Sequence, residues 1–402
     1  MRLQITTCLA WCALSASAFL PSIRDSKRLE KLRSSPNNVD VAFNNKQEEI
    51  LKKKQALYNL LNVAEKNDNA VFQDYVDLVL ACPKTKEPLS IRTLTPKLEG
   101  GSAGVKVSLT SKESENYPSY TYTGRTDSYF DLLNAVTDEK SSAPDASDDT
   151  ERNSSVQNML NSLRVFIPPP LRMAGDDAYI PMRDLFTSPF VSYAYERGWR
   201  QGFQAAGFPG IDKEFELVKD YFSPCTPDKE SSVVIDMSCA TGLMTRRLLN
   251  SGKYGRVIGC DYSDAMLNEA STRIRPIELN SEKTRLNLVR CDVAKMPMQA
   301  GSVNALHAGA AMHCWPELED SLAEIYRVLK PGGRYFATTF LSEYFKSVNA
   351  VASGINQNVS QQAFQSFTVE YLRELVLGAG FEEDKVKIEV VGLACVIIRC
   401  EK

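Results

Sequence analysis

Histidine is almost missing from this 402-residue chain, which holds only His307 and His313. Two imidazoles cannot build a His-rich metal site. An excess of charge of one sign is missing as well. Lys and Arg number 47 against 50 Asp and Glu, a net charge of −3. That balance argues against a phosphate-binding surface covering the protein, and no nucleic-acid partner is expected. The 10 cysteines lack the paired spacing of zinc sites or disulfide scaffolds. Cys239, Cys260, Cys291, Cys314 and Cys395 read as small buried residues of a reducing compartment, and no bound metal is expected. The N-terminal apolar run, Leu3 to Leu14, falls short of the roughly 20 residues a membrane helix needs.

That run has another reading. Met1 and Arg2 precede it, and Ser15-Ala16-Ser17-Ala18-Phe19 follows with the small residues of a signal-peptidase site after Ala18, so residues 1–18 are expected to be a signal peptide. Residues 19–44 carry Arg24, Lys27, Arg28, Lys31 and Arg33 among serines, a transit-like composition from which Asp25 and Glu30 depart. A cleavage site just before Phe, followed by such a stretch, resembles the bipartite plastid presequence of diatoms and related algae. Secretion is the alternative, in which Asn153-Ser154-Ser155 and Asn358-Val359-Ser360 would be glycosylation sequons. Unpaired cysteines favour the plastid.

Three further regions follow. Apolar residues at helical spacing (Ile50, Leu51, Leu57, Leu60, Leu61) open a region, residues 45–133, expected to combine an amphipathic helix with a small β-rich module. In that module Cys82-Pro83-Lys84-Thr85 looks like the first knuckle of a zinc ribbon with Thr85 where a second Cys would stand, and Tyr120-Thr121-Tyr122-Thr123-Gly124 offers no second knuckle. One thiolate cannot hold a structural zinc, so the module reads either as a ribbon without its metal or as an unrelated small β module. Residues 134–164 are polar and read as a flexible linker. Residues 165–402 form the large domain.

This last region alternates strands and helices. Ser232-Val233-Val234-Ile235-Asp236 is a β-branched run ending in an acid; Met237-Ser238-Cys239-Ala240-Thr241-Gly242 and a helical pattern follow. A strand, tight turn and helix place a ligand at the strand's carboxyl end and the helix N-terminus. A second strand, Arg256 to Cys260, ends in Asp261-Tyr262, and an acid about 20 residues past such a loop is placed to accept from ribose hydroxyls. Leu286 to Arg290 leads into Cys291-Asp292-Val293, Val303 to Ala308 gives a fourth strand, and Arg334 to Phe340 a fifth. Two apolar runs around Gly392 form a closing hairpin. The expected fold is α/β: a doubly wound, mostly parallel seven-stranded sheet ending in an antiparallel hairpin, preceded by the small ribbon-like module.

Asp236 to Gly242, Asp261, Asp292 and Arg327-Val328-Leu329-Lys330-Pro331-Gly332-Gly333 together resemble the class I S-adenosylmethionine-dependent methyltransferases of the ubiquinone/menaquinone-biosynthesis-like group. Arg197 to Gln201 and Ala308 to Pro316 are similar to a set of plant chloroplast methyltransferases that also carry a Cys-bearing ribbon. The resemblance implies that S-adenosylmethionine is the cofactor. It implies that Asp236 orients the loop and the methionine ammonium, that Ser238, Ala240 and Gly242 lie along the methionine moiety, and that Asp261 holds the ribose. Tyr262 would flank adenine, Asp292 would accept from its amino group, and Val293 would pack beside it. Ser238 and Ala240 replace two of the family's three loop glycines, and each Cβ narrows the space beside the cofactor.

His313, just past the fourth strand, is the candidate proton acceptor in catalysis, with a structural role as its alternative. His307, inside the strand, and Trp315 read as core; Arg197 and Arg200 read equally as ligands of the cofactor carboxylate or as surface ion pairs. The implied partner is a small-molecule or prenyl-lipid acceptor, with peripheral membrane association. A non-catalytic binding protein on the same fold and a nicotinamide-dependent oxidoreductase remain as alternatives.

Overall fold

The computed structural model describes residues 79–96, 105–136, 203–204, 207–278, 285–341 and 367–402. The presequence, the helix expected after residue 45, most of the linker, and Arg197 and Arg200 lie outside the described residues.

Eleven strands form one sheet: β1 (Leu89–Pro96), β2 (Val105–Ser111), β3 (Thr121–Arg125), β4 (Phe130–Val136), β5 (Val233–Met237), β6 (Arg256–Asp261), β7 (Arg285–Arg290), β8 (Val303–Gly309), β9 (Leu329–Phe340), β10 (Val386–Val391) and β11 (Cys395–Glu401). Their order is β1-β2-β3-β4-β7-β6-β5-β8-β9-β11-β10. β5 to β9 pair in parallel with their neighbours, and β9-β11-β10 closes antiparallel. β5 is buried at every residue, as a strand covered on both faces must be. The strand order reverses between β5 and β8, which opens a crevice outside their carboxyl ends.

The expectation of a seven-stranded sheet with a separate β module is corrected here: the sheet is mixed and has eleven strands. β1 to β4 form an antiparallel meander, and β4 then pairs in parallel with β7, Phe130 opposite Val289 and Asp131 opposite Arg290. The reason is physical. β7 would otherwise present an unpaired edge, and the module covers it. β4 also runs three residues into the stretch expected to be linker.

Further contacts lock the module down. Ala81 N donates to Pro297 O at 2.9 Å, Gln299 N to Val79 O at 2.7 Å, and Lys86 pairs with Glu324 at 2.7 Å. The knuckle-shaped turn keeps its backbone, with Cys82 N bonded to Glu87 O and Lys86 N to Cys82 O, both 2.8 Å. The buried Cys82 thiol lies 3.3 Å from the Tyr122 hydroxyl. Among the described residues, no group of three or more His, Cys, Asp and Glu side chains is placed to hold a metal ion.

Helices α1 (Ile211–Phe222), α2 (Leu243–Asn250), α3 (Asp264–Glu278), α4 (Leu318–Val328) and α5 (Val369–Gly378) cover the sheet. α1 buries Glu214, Val218 and Phe222, one stripe at i, i+4, i+8. Val218 and Phe222 join Met244 and Leu248 of α2 and Val234, Val257 and Phe336 of the sheet in one core cluster. Thr368 caps α5, accepting from Tyr371 N at 3.1 Å. No helix among the described residues is long and apolar enough to cross a membrane.

Since the meander and the α/β region share one sheet, they should unfold together. Phe130 is 2% exposed and lies against Gly124, where an added Cβ would fall 2.4 Å from its ring. Phe130→Ala should cost about 3 to 5 kcal/mol and shift a single denaturant transition. A second transition, with the α/β region keeping its own midpoint, would show the module to be energetically separate.

Candidate functional site

The site begins in the turn between β5 and α2. Three of its residues lie in the left-handed region: Ser238 at φ 57°, Ala240 at 49° and Gly242 at 79°. Only Gly adopts that region without cost, so the first two are strained. Each is held by a hydrogen bond. Trp315 Nε1 donates to Ser238 Oγ at 3.0 Å, and Ala240 N donates to Asp261 Oδ2 at 2.8 Å. The turn is cinched further by Gly242 N to Cys239 O and Cys239 N to Cys260 O, both 2.9 Å. Gly242 is the N-cap of α2, and an added Cβ there would come within 2.9 Å of Ile274.

Asp261 ends β6 and is 9% exposed. Its Oδ1 accepts from Ser263 N at 2.9 Å, so each carboxylate oxygen takes one amide and keeps a lone pair for another donor. Burial raises its pKa to about 6, against the lowering effect of the two amides. Asp292, past the end of β7, caps the short helical turn Val293–Lys295 through Oδ1, which accepts from Ala294 N at 3.0 Å. Val293 is buried beside it, and Tyr262 is half-buried. The carboxyl ends of three adjacent parallel strands thus bring together the strained turn, Asp261 with Tyr262, and Asp292 with Val293.

Asp236 is different. It is 2% exposed, Thr245 Oγ1 donates to its Oδ2 at 2.5 Å, and His307 Nδ1 lies 2.8 Å from its Oδ1. The opposite nitrogen of His307, Nε2, is 3.3 Å from Glu214 Oε1, which also accepts from Thr338 Oγ1 at 3.0 Å. Ala310 N in turn donates to Thr338 Oγ1 at 2.9 Å, and Ala310 is itself left-handed at φ 51°. Burial would depress the imidazole, but Asp236 and Glu214 outweigh it and hold its pKa at about 9. His307 is therefore a cation at neutral pH, shared between two carboxylates.

The reading of His307 as inert core missed this network. A sequence signal existed: Glu214 stands on the apolar stripe of α1, where an acid needs a partner.

His313 lies in the helical turn Met312–Cys314 after β8, 6% exposed, with its ring edge-on to Phe340 at 5.1 Å. Phe340 also meets Phe203 at 5.1 Å and Phe208 at 4.5 Å. Burial alone lowers the His313 pKa to about 4, so the ring is neutral at pH 7. Trp315, read as core, is buried and also holds the strained turn. The site thus has a polar cradle on the β5-β6-β7 side, while on the β8-β9 side His313 borders the aromatic part of the core formed by Phe208 and Phe340 with Phe203 against it.

Residues 235–337 match the family described as a methyltransferase domain. Two uncharacterized chloroplastic methyltransferases of Arabidopsis thaliana are each 46% identical over 158 residues, 39% of this chain and 44% or 43% of theirs. A demethylmenaquinone methyltransferase of Lactococcus lactis is 33% identical over 102 residues, 25% of this chain and 39% of its own length. The matched stretch thus spans less than half the length of each of these relatives. A phosphoethanolamine N-methyltransferase from Haemonchus contortus, solved with S-adenosylhomocysteine, aligns at TM-score 0.39 and 21% identity, covering 52% of this chain and 46% of that one. The resemblance seen in the sequence is supported over residues 235–337, which match a methyltransferase domain.

Two outcomes follow from the geometry. Ala240→Gly relieves a left-handed Ala at the cost of a freer unfolded chain and should raise stability by about 0.5 to 1 kcal/mol in denaturant titration. A loss instead would mean that the Ala240 methyl contributes more by packing than its backbone costs.

The second concerns pH. The folded pKa of His307 exceeds its ordinary value of 6.5, so its contribution is complete below about pH 6.5 and lost as pH rises through about 9. Facing groups are Asp236 on β5, Glu214 on α1, and, beside Glu214, the Cys395 thiol of β11, pushed up to about 12 chiefly by burial and neutral throughout this window. Unfolding free energy should fall by up to roughly 3 kcal/mol between pH 6.5 and 9.5, and His307→Gln should abolish that slope. A wild-type profile as flat as the variant's would exclude the cation.

Proposed function

We propose that this chain transfers a methyl group from S-adenosylmethionine to a small or lipophilic acceptor, an apolar prenyl-lipid precursor being the class that fits best. The observation that carries this reading is the convergence of the strained 238–242 turn, Asp261 and Asp292 at the carboxyl ends of three neighbouring parallel strands. The donor set fits the cofactor. Asp261 has acceptor capacity to spare for two ribose hydroxyls, Asp292 is an acceptor for an exocyclic amine, and Tyr262 and Val293 flank the ring between them. Ser238, Ala240 and Gly242 line the methionine portion with backbone. Asp236, at the end of β5 and bonded to Thr245 and His307, fixes the base of that turn, and the one remaining lone pair on each oxygen leaves it an acceptor for the methionine ammonium.

When bound, the cofactor supplies an electrophilic methyl on a sulfonium. The chain supplies alignment and exclusion of water, which dominate a direct SN2 displacement. His313, neutral at pH 7, is the residue assigned to take the acceptor's proton. The wall of Phe203, Phe208 and Phe340 beside it favours an apolar acceptor. The name of the Lactococcus relative, demethylmenaquinone methyltransferase, is in keeping with this acceptor class, and the chloroplastic relatives with a plastid location. On this reading residues 1–18 and 19–44 deliver the protein to a plastid, residues 45–133 are helix and module, and residues 165–402 are catalytic.

Calorimetric titration with S-adenosylhomocysteine, with a nicotinamide dinucleotide as control, tests the reading. Asp261→Asn should weaken S-adenosylhomocysteine by about 1.5 to 3 kcal/mol, roughly tenfold to a hundredfold. Because the wild-type carboxyl protonates near pH 6, wild-type affinity should fall below that pH while the Asn variant shows no such dependence. Binding of the dinucleotide alone would replace the assignment with an oxidoreductase. Tight S-adenosylhomocysteine binding with no methyl transferred to prenylquinone precursors in plastid extract would favour a non-catalytic binding protein.

A further inference from the structure

The strand that docks the N-terminal meander also delivers a carboxylate to the ends of β6 and β7. Asp131 is fixed by its own strand: Oδ1 accepts from Leu133 N at 3.0 Å and Asn134 N at 3.3 Å. Its Oδ2 receives Arg290 Nη1 at 3.1 Å, and the same guanidinium donates through Nε to the Tyr262 carbonyl at 3.0 Å. The two side chains are 21% and 28% exposed, so the pair is screened less than a surface one. Beside it, Tyr129 packs on Cys239, Leu267, Ala270, Ile274 and Leu288, a cluster with members from both the strained turn and α3.

The covalent geometry of one peptide gives this pair its reach. The Tyr262 carbonyl and the Ser263 N–H belong to the same planar unit. Arg290 holds the oxygen end of that plane, and the nitrogen end donates to Asp261 Oδ1 at 2.9 Å. Asp261 Oδ2 in turn holds Ala240 N. Rotation of the 262–263 peptide would therefore turn the carboxylate and loosen the turn. A guanidinium suits the task because its planar fork serves two acceptors at once.

We propose that Asp131 and Arg290 are positioning residues for the adenosyl half of the cofactor site, so that the N-terminal module forms part of that site as well as covering a sheet edge. This rests on the roles given above to Asp261 and Tyr262. The module acts through backbone, with no contact to the ligand required of it.

Asp131→Asn keeps the shape and removes the charge; Arg290→Lys keeps the charge and removes the fork. Both should weaken S-adenosylhomocysteine and 5′-methylthioadenosine by the same factor, about threefold to tenfold, since the two ligands share the adenosyl group and its sulfur and differ in the amino-acid portion. Amide exchange at Ser263 should quicken in both variants without ligand, and Asp127→Asn, which breaks the Arg125 pair in the neighbouring hairpin, should change neither readout. A wild type that binds S-adenosylhomocysteine while both variants match it in affinity and in Ser263 exchange overturns the relay and leaves the functional reading standing. Weakening confined to S-adenosylhomocysteine overturns the adenosyl assignment. A wild type that binds neither ligand overturns the functional reading and, with it, this role.

Discussion

The imidazolium of His307, held between Asp236 and Glu214, is the interaction on which the rest of the site depends. Each of the three residues is at most 2% exposed, and removing an ion from water costs several kcal/mol even after relaxation. Each ring nitrogen faces one of the two buried carboxyl groups, so the imidazole supplies both with a partner. The arrangement therefore forces α1 to dock where Glu214 meets β8, and forces β5 and β8 into the register that brings Asp236 to His307. Loss of one partner would leave an uncompensated buried charge, typically a matter of about 3 to 5 kcal/mol.

From that centre the constraint spreads to the backbone. Ser238, Ala240 and Ala310 are left-handed without being glycine, at a cost of about 1 to 2 kcal/mol each. Every one of them has a compensating hydrogen bond from a different element: Trp315 to Ser238, Ala240 to Asp261, and Ala310 to Thr338. Thr338 is also bonded to Glu214, and Asp236 immediately precedes the first strained turn. The buried ion set and the strained segments are one mechanical unit, in which the charge network holds the ends of β5, β8 and β9 while those ends carry the strain.

This organisation was unevenly legible in the sequence. Val233-Val234-Ile235, Val257-Ile258 and the hairpin strands around Gly392 announce themselves because burial on both faces demands unbroken apolar runs. Thr368 marks the start of α5 because a capping hydroxyl is a local device. Joining β4 to β7 left no such local mark, since Asp131 and Arg290 are 159 residues apart and nothing near either specifies the other. His307 was hidden for the same reason, its partners lying 71 and 93 residues away. Asp261 and Asp292 were legible because a strand end followed by an acid is both local and chemical, whereas Asp236, equally conspicuous in sequence, is turned inward by a histidine that its own neighbourhood does not reveal.

The two histidines, six positions apart, show how far environment overrides residue type. His307 is surrounded by carboxylates and raised to about 9, so it cannot take a proton from an acceptor at neutral pH. His313 is buried with its ring edge-on to Phe340, and burial lowers it to about 4, so it is neutral at pH 7 and binds a proton weakly. A base that weak contributes little driving force to proton removal. One residue type thus reaches opposite ends of its protonation range within one site, set by carboxyl groups in one case and by burial in the other.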